Sequence, residues 1–130
     1  MRKRPYHIIV VCIILAIVTP VALAKHKAVK PVAPVEADGV RYMVEGNGRD
    51  QYVAATDISS GKQLWKVKVF HTRILNCWLF WREEDTQWVF ITDLKLLDHS
   101  LFVRNEKSRC YSVDLKTHKV RKASCGLAFP

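Results

Sequence analysis

The chain has 130 residues, 49% of them hydrophobic and 25% charged, with a formal net charge of +9. That length fits one small domain with a modest core and leaves no room for a second. The positive balance points toward anionic partners or surfaces.

In chain order, Arg2, Lys3 and Arg4 precede an apolar run of 11 residues from Ile8 to Val18, followed by Pro20 and Val21-Ala22-Leu23-Ala24. A basic start, an apolar stretch within the roughly 7 to 15 residues of a signal core, and small residues at Ala22 and Ala24 predict a secretory signal peptide over 1–24, cleaved after Ala24. The alternative is an N-terminal membrane anchor, because Ile8 to Ala24 reaches the low edge of the roughly 17 to 25 residues that span a bilayer. Cys12 has no apolar run before it and is not a lipidation site. Cleavage leaves 106 residues with a net charge of +6, and confines membrane contact to the signal segment before its removal.

Residues 25–39 contain Lys25, Lys27, Lys30, Pro31 and Pro34 and no aromatic. They predict an extended, disordered basic arm. Ordered structure is expected from Val40, giving a β-domain over 40–130.

From there the hydrophobic pattern has period two, and no dozen-residue segment has helical spacing with caps, so the domain is expected to be all-β. Strands are predicted at 40–45, 51–57, 63–70, 77–81, 87–92, 101–104, 109–115 and 119–124. Gly46-Asn47-Gly48, Ser59-Ser60-Gly61, Glu83-Glu84-Asp85, Asp98-His99-Ser100, Asn105 to Ser108 and Lys116-Thr117-His118 supply the turns. Short connections throughout make an antiparallel meander. Cys77-Trp78-Leu79-Phe80-Trp81 and Trp88-Val89-Phe90-Ile91 carry three of the four tryptophans and predict the core. The competing reading is a ligand groove lined by Trp78, Trp81 and Trp88, with Trp81 nearest solvent.

The run Ala55-x-Asp57-x-x-Ser60-Gly61-x-x-x-Trp65 resembles the tryptophan-docking repeat of pyrroloquinoline-quinone-type (PQQ-like) β-propellers, written AxDxxTGxxxW, with Ser60 in place of Thr. The resemblance implies that Asp57 and Ser60 brace the turn between the last two strands of a blade and that Trp65 docks on the neighbouring blade. A weaker copy lies at Ser112-Val113-Asp114-Leu115-Lys116-Thr117-His118. There His118 replaces the glycine, and Lys122 stands where the docking tryptophan would be. Asp57 and Asp114 are 57 positions apart, the period of one four-stranded blade with a loop. Two blades cannot close the ring of roughly four to eight that encloses a central channel. A quinone dehydrogenase is excluded on size, and no cofactor is expected. What fits is two blade-like sheets, packed as an open sandwich or partial propeller.

Three cysteines follow the signal. An oxidising compartment favours a disulfide. If 111–115 and 119–124 form a hairpin about Thr117-His118, residues summing to 235 face one another, which pairs Cys110 with Cys125. Cys77 is then left over, among apolar neighbours that raise a thiol's pKa. His71, His99 and His118 are not at metal-ligand spacing, and Glu83, Glu84 and Asp85 sit side by side in one turn rather than across a cleft.

No nucleophile, base and orienter occur together, so the expected function is non-enzymatic: an interaction or scaffold module of the bacterial cell envelope with a protein partner. The alternative is a module for an anionic envelope polymer or glycan, binding through Trp81, Arg104, Arg109, Lys119, Arg121 and Lys122. Nucleic acid is not expected, since aromatics do not interleave with the basic stretch. Open strand edges leave a place for a second copy.

Overall fold

The computed structural model describes residues 28–75 and 85–129. The predicted signal segment, Lys25, Lys27, Cys77, Trp78, Trp81, the strand predicted at 77–81 and the turn predicted at Glu83-Glu84 lie outside them. Among the described residues no helix is long and apolar enough to cross a membrane.

The fold is all-β. Among the described residues, eight strands form two four-stranded antiparallel sheets, each a simple meander. The first sheet holds β1 (Val35–Ala37), β2 (Val40–Gly46), β3 (Asp50–Asp57) and β4 (Gln63–His71) in sequence order. The second repeats that order with β5 (Ile91–Leu97), β6 (Ser100–Asn105), β7 (Cys110–Asp114) and β8 (Val120–Ala123). Short 3-10 turns cover Asp85–Gln87 and Cys125–Leu127.

Alternation drives the packing. Val53 and Ala55 on β3, Leu101 and Val103 on β6, and Val113 on β7 point to the space between the sheets, where they join Tyr42, Val69 and Ile91 in one core. Facing apolar surfaces of two sheets bury each other, which neither sheet achieves alone. Gln51 is also buried, and its Oε1 accepts a 3.4 Å hydrogen bond from the Ile91 N–H, tying β3 to the start of β5.

The outer faces are polar. On the first sheet, Lys66 and Lys68 hold their ammonium groups 4.8 and 5.7 Å from the Tyr52 ring centre. On the second, the chain beyond β8 folds back. Arg104 lies 4.8 Å over the Phe129 ring, Lys95 Nζ donates to the Ala128 carbonyl at 3.0 Å, and Ala128 is buried. Long cationic stems thus cover the sheet surfaces that would otherwise invite further stacking.

Three expectations change. The arm's end is not all solvated: Val35–Ala37 pairs with β2 through a two-residue turn at Asp38-Gly39, both with positive φ (51° and 75°). Asp-Gly is the favoured sequence for that turn, and it was the available signal. The strand expected at 87–92 is displaced to Ile91–Leu97. Trp88 and Val89 leave the ladder because Trp88 packs on Gly48 and the Val89 N–H donates to the Gly48 carbonyl at 3.0 Å. In the β7–β8 hairpin the paired residues sum to 233, with Cys110 opposite Ala123. The Cys110–Cys125 disulfide still forms, with α-carbons 5.2 Å apart. It runs diagonally from β7 to the turn that follows β8.

Candidate functional site

Two turns set the ends of the strands. In the β3–β4 turn, Asp57 Oδ1 accepts from Ser59 Oγ (2.6 Å), the Ser60 N–H (2.7 Å) and Ser60 Oγ (3.0 Å). Those donors, the Ser59 hydroxyl foremost, hold its carboxyl down to about 2. In the β7–β8 turn, Asp114 Oδ1 accepts from the N–H groups of Lys116 (2.9 Å) and Thr117 (2.7 Å), which likewise lowers its pKa. Gly61 and His118 take the same left-handed place four residues on, with φ of 68° and 56°. The Ile58 N–H donates to the Gly39 carbonyl, as that of Leu115 does to His99. The two sheets therefore repeat one hydrogen-bonding plan.

Ring contacts join β4 to the second sheet. The Trp65 indole packs against the His118 imidazole in a tilted arrangement at 4.6 Å, and Phe70 stacks on Tyr111 at 5.2 Å. Beyond Phe70 the chain runs through His71, Thr72 and Arg73, and the Thr72 N–H donates to the Arg49 carbonyl at 2.7 Å. Opposite stands the β6–β7 turn, braced by buried Asn105, whose Oδ1 accepts from the N–H groups of Lys107 (3.0 Å) and Arg109 (2.9 Å). A cleft of about 270 Å³ opens between them.

Arg73, Lys107 and Arg109 edge this cleft, and among the described residues no carboxylate lines it. Of the acids beside it, Glu106, in the same turn as Lys107, accepts from the Phe90 N–H at 3.0 Å, and Asp50 is engaged by Lys68 and His71, each at 2.9 Å, which lower its pKa in that order. Like charges gathered in a concavity raise the local potential for an anion.

A wider concavity of about 800 Å³ adjoins the disulfide, with Arg109, Tyr111, Lys122, Ser108 and Ser124 in its wall. Arg109 and Tyr111 belong to both.

The basic residues singled out in the sequence thus scatter. Arg109 and Lys122 reach concave surface. Arg104 is occupied by Asp93, its Nε 2.8 Å from Oδ2, and by the Phe129 ring. Lys119 is exposed in the β7–β8 turn and lines neither concavity. Arg121 sits opposite Ser112, on the other face of edge strand β8 from Lys122. Trp81 lies outside the described residues. Trp88 is half-buried against Gly48, with Phe90 at 6.1 Å. His71, the last residue of β4, and Arg73, just beyond it, were not read as site residues, because they lie some 30 positions before the β6–β7 turn.

Among the described residues no three His, Cys, Asp or Glu side chains gather to hold a metal. No family model matches the chain, and no curated protein matches it.

Proposed function

We propose that this chain is an exported, non-enzymatic β-repeat module of the bacterial cell envelope that acts by binding an anionic partner. The observation that carries the reading is the convergence of Arg73, Lys107 and Arg109 on one cleft whose lining, among the described residues, contains no acid. Support for export comes from the basic and apolar amino terminus with small residues at Ala22 and Ala24. Support for reading the sheets as PQQ-like blades comes from the recurring Asp-braced turn and from the packing of Trp65 on His118, in the other repeat.

Retention of the purified protein on a polyanionic resin tests the binding. Elution by salt is expected, because screening weakens exposed charge pairs over roughly 8 to 10 Å near physiological ionic strength. The triple variant Arg73→Ala, Lys107→Ala, Arg109→Ala is expected to elute much earlier. Equal retention of that variant, with its β-sheet circular dichroism intact, would overturn the assignment of the cleft. A mass spectrum of the protein recovered outside the producing cell, beginning at Lys25, is the result expected for export.

A further inference from the structure

We propose that the cleft and the wider concavity beside the disulfide act as one track for a linear anionic glycan, crossing the wall formed by Arg109 and Tyr111. This rests on the reading of the chain as a module with an anionic partner, and it names the class of that partner. Arg109 and Tyr111 line both concavities, so each borders the other. Cations recur along the path: Arg73 and Lys107 on one side of the wall, Arg109 in it, and Lys122 on the other side. One isolated phosphate or carboxylate needs one such group. A polymer with an anion on successive units can engage them in turn, and each added contact acts at a raised effective concentration.

The remaining chemistry favours sugar over other polyanions. The rings of Phe70 and Tyr111 are part-exposed within the path, offering apolar edges to the C–H faces of a pyranose. Ser108 and Ser124 add exposed hydroxyls in the wider concavity, and their side chains have no hydrogen-bond partner among the described residues. Lys122 occupies the place, 57 positions after Trp65, where the first repeat puts its docking indole. In the second repeat this position lines the wider concavity.

The test is isothermal titration of the purified protein with galacturonate oligomers of increasing length, beside free galacturonic acid, polyphosphate and poly-glutamate of matched charge. Affinity is expected to rise roughly tenfold or more from the monomer to an oligomer that spans both concavities. Arg109→Ala is expected to abolish that rise, whereas Lys62→Ala, in the distant β3–β4 turn, retains it. Arg109→Gln removes the charge but keeps a polar, unbranched stem, so the same loss in a variant with intact β-sheet circular dichroism assigns the effect to the charge rather than to folding. Equal affinity for monomer and oligomer would overturn the track while leaving the anionic cleft in place. Tighter binding of polyphosphate or poly-glutamate than of the glycan would overturn the glycan assignment. Binding of no polyanion would remove the track and the functional reading together.

Discussion

The ring centres of Trp65 and His118 lie 4.6 Å apart with their planes at 33°, although Trp65 belongs to β4 of the first sheet and His118 to the β7–β8 turn of the second. His118 takes a left-handed backbone that Gly61 takes in the first repeat. A side chain there costs about 1 kcal/mol in backbone strain, and in return it places a ring where the indole docks. Tyr42, 5.9 Å from Trp65, extends the aromatic contact into the core.

Removing the indole should loosen the seam. Trp65→Ala is expected to lower unfolding free energy by about 2 kcal/mol, below the roughly 3 to 5 of a fully buried aromatic because Trp65 is part-exposed. A urea-denaturation cycle with His118→Ala is expected to show a coupling of about 0.5 to 1.5 kcal/mol between the rings. Strict additivity would show that the contact contributes nothing.

Two glycines with similar backbone angles should respond differently. At Gly48, with φ of 85°, an added Cβ would meet the Trp88 ring at 2.5 Å, whereas at Gly61, with φ of 68°, it meets open space. Gly61→Ala is expected to cost about 1 kcal/mol from strain alone. Gly48→Ala adds displacement of the indole and is expected to cost about 2 to 3 kcal/mol more, in line with overpacking a filled site. Thermal melts of the two variants check the order.

The disulfide closes a loop with a sequence separation of 15, for which chain-entropy reasoning gives about 3 kcal/mol. Reduction, or the double change Cys110→Ala with Cys125→Ala, is expected to lower the urea midpoint by a corresponding amount. It should also free the segment after β8, so that hydrogen exchange at Ala128 and Phe129 rises before that of β6.

Acid should destabilise the fold through its turns and ion pairs. Asp57, with a folded pKa near 2 against an ordinary 3.8, contributes stability that is present above the ordinary value and disappears as pH falls through about 2. The carboxyls of Asp50, Asp93 and Asp114 are lowered in the same direction, Asp93 chiefly by Arg104. Stability is therefore expected to be level above pH 4 and to decline between that region and pH 2. Asp57→Asn keeps an acceptor for the turn but cannot titrate, so its decline should be shallower when followed by circular dichroism.

Local chemistry determined the all-β class, the turns at Asp57 and Asp114 and the pairing of Cys110 with Cys125, because alternation, turn residues and a short hairpin act over a few positions. Even there, the turn's geometry set a register two lower than the sum expected for the β7–β8 pairing. Tertiary packing decided where β5 begins, since the Trp88 ring rests on a backbone 40 positions earlier. It also decided which cations share a surface. Arg73 meets Lys107 and Arg109 because the Phe70–Tyr111 stack brings the end of β4 to the β6–β7 turn, while Arg104 is withdrawn by Asp93 and Phe129. Charge in a sequence is a count; its field depends on distances that exist only once the two sheets have closed on each other.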